Sequence, residues 1–305
     1  MHSQSRPQTQ KAIASLPTAA DEDLAVSRLT DEEEKEVLDF LSKRIERTFG
    51  MVGFIRSNGL VSPHNRGVFY ACRNQEGEII GVALIGHHIL FETDSLCAIE
   101  AFARIAQNYK NAHLLLGEQE KVEAFWHYYA GGGQSPRLYC RELLLRQKWP
   151  IEVREPVPGL RLATPDDLDL IVPAHAQTVI AESGIDPLET DAEGFRHRCA
   201  RRIEQGSTWV WIEDGKLIFK AEVVTDSPET VYLEGVWTNP DERGKGYGSR
   251  CMLQLGKMFL SRSDSVSLLV NDRLREAQSF YRKIGYRFLG YYDTIFLSPG
   301  SESVN

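Results

Sequence analysis

The residues whose types and spacing best suit chemistry stand side by side: Arg243, Gly244, Lys245, Gly246, Tyr247, Gly248 and Ser249. Alternating glycines let a backbone turn its amides toward one point and let a ligand approach closely. The helix predicted to follow shows Cys251, Leu255 and Phe259 on one side and Arg250, Gln254 and Lys257 on the other. Loop amides ahead of a helix N-terminus form an anion site suited to a pyrophosphate, and Arg243 and Lys245 add charge beside it. Spacing excludes two other phosphate motifs. A P-loop needs four residues between its first glycine and Gly-Lys, followed by Ser or Thr, whereas Gly246 is followed by Tyr247. A dinucleotide fingerprint needs glycine at Ser249 and an acidic ribose partner some way downstream, and neither is present.

Further on, the run from Asn271 to Tyr286 has Asn271, Ala277, Tyr281, Gly285 and Tyr286 in a second spaced pattern. The loop Arg243-Gly-Lys-Gly-Tyr-Gly248 resembles the pyrophosphate motif of the GNAT acetyltransferases, and the run 271–286 resembles that family's second motif. Leu274 departs from it, standing where many members have another asparagine. The motifs cover residues 231–288, and the elements before them suit the same fold back to Leu160. The resemblance implies acetyl-CoA as co-substrate and acetyl transfer to a primary amine by direct attack on the thioester. It also implies residue roles. Val236 and Trp237, with Thr238 beside them, offer backbone groups to the pantetheine arm and help polarise the thioester carbonyl. Arg243, Gly244, Lys245, Gly246, Tyr247, Gly248 and Ser249 hold the pyrophosphate. Asn271 and Phe280 line the pantetheine side, and Tyr281 is the general acid. The alternative is a non-catalytic acyl-CoA-binding or sensing module.

From its own surroundings, Tyr281 reads as a core residue on the stripe Ala277, Phe280, Tyr281, Ile284. Two carboxylates are candidates for the base that the acceptor amine requires. Glu234 shares a strand face with Tyr232 and Val236, and Glu222 lies on the preceding strand. Glu234 is preferred. The stretch 182–193, with Glu182, Asp186, Glu189, Asp191 and Glu193, reads as a solvated acidic loop or as a rim favouring a cationic amine. His87, His88, His175 and His197 lack companions at ligand spacing, so no metal is expected.

These residues need a scaffold, and the chain is long enough for two. It has 305 residues, 42% hydrophobic and 26% charged. A formal charge of −8 argues against nucleic acid as the partner. Cys72, Cys97, Cys140, Cys199 and Cys251 are scattered and odd in number, as suits reduced thiols. No stretch approaches eighteen apolar residues and the polar start has no signal-like core, so no membrane partner and a cytoplasmic setting are expected. Residues 1–23 read as a loose tail, 24–148 as a first domain, 149–159 as a linker stiffened by Pro150, Pro156 and Pro158, 160–297 as the catalytic domain and 298–305 as a second tail. In the first domain, helices are predicted over 30–47 and 95–109, and strands over 67–73, 79–92 and 112–116. In the second, strands are predicted over 160–163, 208–212, 217–224 and 231–237, with a helix at 193–205. The two halves read as weak repeats. Each runs from a strand pair through a helix and a buried strand to a helix carrying adjacent aromatics, Phe125-Trp126 or Phe280-Tyr281, and then to glycine. The expected class is α/β, layered: two GNAT-like lobes, each a mixed, mainly antiparallel sheet flanked by helices. The first is degenerate, because Thr93-Asp94-Ser95 follows its strand where the cradle would be. Oligomeric state is open.

Overall fold

The computed structural model describes residues 24–298; the tails expected over 1–23 and beyond 298 lie outside them. Two compact units divide the chain. Unit 1 runs to Glu142 and resumes at Gly290; unit 2 is Leu143–Leu289 and contains the proline-rich stretch 149–159.

Unit 1 begins with β1 (Ala25–Arg28), α1 (Glu34–Ser42) and α2 (Ile45–Asn58). One helix was expected over 30–47, but the chain breaks at Arg44, whose φ is −135°. The Thr48 hydroxyl bridges the break, donating to the Leu41 carbonyl at 2.8 Å. Next come β2 (Gly67–Arg73), β3 (Ile79–Gly86) and β4 (His88–Thr93), all antiparallel. The single strand expected over 79–92 divides at His87, where the chain reverses and the His87 amide donates to the Arg66 carbonyl at 2.8 Å. A parallel return requires a crossover. α3 (Leu96–Ala106) supplies it, and β5 (Leu114–Glu118) pairs with β4 at only two positions, His88↔Leu114 and Ile89↔Leu115. α4 (Gln119–Tyr129) and β6 (Pro136–Gln147) follow. Apolar side chains fill both faces of the sheet. Val37, Leu41, Val52 and Ile55 lie under α1 and α2; Phe102, Phe125 and Tyr129 lie under α3 and α4.

Unit 2 repeats the plan. β7 (Leu160–Leu162), α5 (Leu168–Ser183) and α6 (Pro187–Glu204) precede three antiparallel strands, β8 (Thr208–Glu213), β9 (Lys216–Asp226) and β10 (Val231–Thr238). α6 starts earlier than the helix expected from 193, at Pro187, and is kinked at Asp191, whose carboxylate accepts from the Gly194 amide at 3.0 Å. α7 (Tyr247–Leu260) crosses to β11 (Val266–Asn271), which is parallel to β10; α8 (Arg275–Lys283) and β12 (Arg287–Leu297) end the described chain. Cys251, Leu255 and Phe259 of α7 pack on one sheet face, and Ile171, Ala174 and Ile203 of α5 and α6 on the other. The fold is thus α/β and layered, with two lobes of one design.

The closing strands do not follow the repeat. Residues 292–296 of β12 run antiparallel to β5 and belong to unit 1, while residues 143–147 of β6 stand next to β11 in unit 2.

Candidate functional site

Unit 2 gathers its chemistry where β10 changes course. Glu234 faces Glu222 on β9, and Trp237 faces Lys220, so two residues, Gly235 and Val236, oppose Ala221 alone. This is a β-bulge, which bends a strand and leaves one residue outside the ladder. Gly235 adopts φ +55°, a conformation that disfavours a side chain. On the other side, the parallel ladder with β11 covers only Val231↔Val266 to Leu233↔Leu268, while β10 continues to Thr238 and β11 to Asn271. Beyond Leu233 and Leu268 the two strands run on without this pairing, which leaves a gap in the ladder.

The glycine loop lies between β10 and α7. Gly244 and Gly246 have φ of +78° and +84°, with no atoms within 4 Å of a would-be Cβ, so they are required by backbone conformation. Gly248 is required by proximity, since a Cβ there would stand 2.8 Å from Thr238 Oγ1 and 3.7 Å from Phe280 Cε2. Thr238, Gly248 and Phe280 therefore converge from β10, α7 and α8. Gly246 caps α7, and the amides of Tyr247, Gly248 and Ser249 form its first turn, where intrahelical acceptors are lacking. Arg243 donates from Nε to the Thr238 carbonyl at 3.2 Å. Lys245 is less available than its sequence position suggests. Its Nζ lies 2.7 Å from Glu242 Oε2, and Lys216 holds the other oxygen at 3.0 Å; these hydrogen bonds, Lys245's first, lower the carboxyl pKa.

At the far end of β11 the Asn271 side chain turns back on its own loop, its Oδ1 accepting from the Arg273 amide at 2.9 Å. Gln278 secures the same turn by donating to the carbonyls of Asn271 at 3.2 Å and Asp272 at 2.8 Å. The sequence reading missed Gln278; its signal was a polar residue next to the stripe 277, 281, 284. The Tyr281 ring is buried edge-on against Phe280 and Tyr286, at centroid distances of 5.0 and 5.5 Å. Burial, and after it the Glu182 carboxylate, push the Tyr281 hydroxyl well above the usual phenol range, so it keeps its proton.

The face of β9 and β10 beneath α5 and α6 carries a cluster that the sequence reading mostly missed. Lys220 is fully buried, its Nζ 2.6 Å from Glu222 Oε1 and 3.3 Å from His175 Nδ1. His175 Nδ1 is also 3.2 Å from Glu222 Oε1, and its ring stacks on Phe195. Arg202 bridges the two candidate bases, reaching Glu222 Oε2 and standing 2.8 Å from Glu234 Oε1. Their accessibility differs greatly: the Glu222 side chain is 2% exposed and that of Glu234 38%. Burial, then the Arg202 guanidinium, lower the Lys220 ammonium to about 7. Burial, then Lys220 and Arg202, hold His175 neutral. Trp237 is fixed by a 3.1 Å bond from Nε1 to Gln177 Oε1. A Cβ on Gly235 would lie 3.0 Å from Lys220 Nζ. Gly235→Ala is expected to lower stability by about 1–2 kcal/mol from its positive φ alone, measurable as a lower urea midpoint.

Residues 177–286 match the family described as Acetyltransferase (GNAT) family. Among the curated proteins, a UPF0039 protein of Schizosaccharomyces pombe is 32% identical over 74 residues, 24% of this chain. The chain spans about half the length of that relative, 49%. Solved structures similar in fold include a Drosophila protein, with a TM-score of 0.66 and 13% identity over 90% of this chain and 99% of its own. A tandem GNAT protein from the clavulanic acid biosynthesis pathway has a TM-score of 0.56 and 12% identity, over 91% of this chain and 99% of its own. A GCN5-related N-acetyltransferase from Sphaerobacter thermophilus also has a TM-score of 0.56, with 10% identity, over 91% of this chain and 96% of its own. The two lobes are GNAT-like, arranged in tandem along the chain.

Proposed function

We propose that unit 2 is an acetyl-CoA-dependent N-acetyltransferase for a primary amine, with one cofactor-binding lobe per chain. The observation that carries this reading is the convergence of Thr238, Gly248 and Phe280, where a single added Cβ would fill the space at the start of α7. The amides of Tyr247, Gly248 and Ser249, with Gly244, Gly246 and Arg243, hold the pyrophosphate, and Lys245 contributes through its pair with Glu242. Val236 and Trp237 of the bulge take the pantetheine arm, bordered by Asn271. An amine with an ordinary lysine pKa of about 10.4 must first lose a proton. Glu234 accepts it, directly or through a water, because Glu222 is buried and already held by Lys220, His175 and Arg202. The amine nitrogen bonds to the thioester carbon, backbone donors of the bulge steady the oxyanion, and the C–S bond then breaks. Tyr281, still protonated, gives its proton to the departing sulfur and is reprotonated by the second proton that the acylated nitrogen sheds. Exposed Glu182 and half-buried Glu234 favour a cationic acceptor.

Unit 1 lacks the cradle at the matching turn. Thr93 Oγ1 accepts from the Ser95 amide at 3.0 Å and Ser95 Oγ from the Ala98 amide at 3.3 Å, so side chains occupy the amides that an anion would use. Asp94 adds a like charge there. Calorimetric titration with acetyl-CoA is therefore expected to give a stoichiometry near one, followed by acetylation of at least one member of a panel of small cationic amines and lysine peptides. Absence of binding by the folded protein would overturn the reading. Binding without transfer to any amine would leave an acyl-CoA-binding module.

A further inference from the structure

We infer that Lys220 is a positioning residue which, by gaining or losing its proton, decides whether Arg202 is shared with Glu234 or drawn to Glu222. The inference rests on the proposed function, in which Glu234 is the working carboxylate. Lys220 and Arg202 compete for one buried anion: Lys220 holds Glu222 Oε1 at 2.6 Å, and Arg202 reaches Oε2 of the same carboxylate. The same Arg202 NH1 stands 2.8 Å from Glu234 Oε1. While Lys220 is an ammonium, Glu222 is balanced and Arg202 remains divided between the two carboxylates. When Lys220 is neutral, Glu222 keeps an uncompensated charge in a buried site, which is costly, and Arg202 is its nearest mobile cation. Its movement toward Glu222 leaves Glu234 available to the acceptor.

The groups facing Lys220 fit this assignment. On β9 there is Glu222, and on β10 Glu234. From α5 come His175 and Glu182; from α6 come Cys199 and Arg202, with Arg198 acting on the neighbouring His175. His175 is held neutral by burial and by the surrounding cations, so it supplies no competing charge. The lowered proton affinity of Lys220, near 7, brings the exchange into the range where an enzyme works. Gly235, lying over Nζ without a side chain, leaves room for it.

The test is the pH dependence of kcat/KM between 5.5 and 9 for wild type, Lys220→Met, Lys220→Arg and Glu222→Gln. Taking ratios to wild type at each pH cancels the ionisation of the acceptor amine. Lys220→Met mimics the neutral state and is expected to exceed wild type at pH 6 by about tenfold, because one unit below a midpoint only about a tenth of the group is neutral. Lys220→Arg, a permanent cation, falls at least about tenfold below wild type at pH 8, where about nine-tenths of Lys220 is neutral. Glu222→Gln, with no charge to draw Arg202, stays low throughout. Uniform loss in all three, with the profile unmoved, would mean that Lys220 is only structural and would overturn the inference. Wild-type protein with 13Cε-labelled lysine and 15N-labelled arginine gives a second readout independent of catalysis and of variant folding. One lysine is expected to titrate near pH 7, with the Arg202 Nε signal shifting at the same midpoint. Lysines that all titrate above pH 9, or an Arg202 signal that does not move, would overturn the inference even if no acceptor amine were found. Binding and transfer that fail outright would instead count against the proposed function.

Discussion

Gly246→Glu is expected to weaken acetyl-CoA binding by at least about 100-fold, about 2.7 kcal/mol, while leaving the protein folded. Gly246 has φ +84° and open space around its would-be Cβ, so the substitution meets backbone strain rather than a collision. Such strain costs about 1–2 kcal/mol for an L-residue, which a unit of this size tolerates as a drop of only a few degrees in Tm. The new carboxylate stands at the N-terminus of α7, where the amides of Tyr247, Gly248 and Ser249 attract an anion. It occupies those donors itself and repels the pyrophosphate. Calorimetry with acetyl-CoA, paired with a thermal melt, separates the two effects. Unchanged affinity would place the pyrophosphate elsewhere.

Tyr281→Phe is expected to lower kcat by about 10²–10⁴, the usual range for a lost general acid, with little change in acetyl-CoA affinity. The substitution keeps the ring that packs against Phe280 and Tyr286 and removes only the hydroxyl. Because burial and Glu182 raise that hydroxyl's pKa, the wild-type rate should show no decline attributable to Tyr281 up to pH 9. Single-turnover kinetics with saturating acetyl-CoA provide the measurement. A loss under fivefold with a lowered Tm would make Tyr281 a core tyrosine, as its stripe alone suggests.

Much of the fold was legible because its signals are local. The left-handed turns at Gly244 and Gly246 and the order of strands and helices in both lobes follow from residues close in sequence. The bulge was not legible. A strand that gains one residue over its partner at Gly235 looks, in sequence, like any strand containing a glycine. Nor could the Lys220 cluster be read from it. Lys220 sits between apolar Phe219 and Ala221, the pattern of an outward-facing residue, and its burial depends on α5 and α6 covering that face. His175, Arg202, Glu222 and Glu234 come from four elements, and only tertiary packing brings them within hydrogen-bonding distance. Strand exchange at β6 and β12 was hidden for a similar reason, since nothing in their residues says whether they pair with β5 or with β11.

That exchange nests unit 2 inside unit 1 along the chain, which matters while the protein is being made. β5 ends at Glu118, and its antiparallel partner arrives only with residues 292–296, roughly 170 residues later. At about 5–20 residues per second, a ribosome takes roughly ten to thirty-five seconds to cover that distance. Throughout that interval one edge of the nascent first lobe lacks its final strand, and an unpaired edge is a template for wrong partners. Unit 2, by contrast, has every strand it needs once Leu289 has emerged. The lobe with the proposed chemistry can therefore finish folding before the lobe that was begun first.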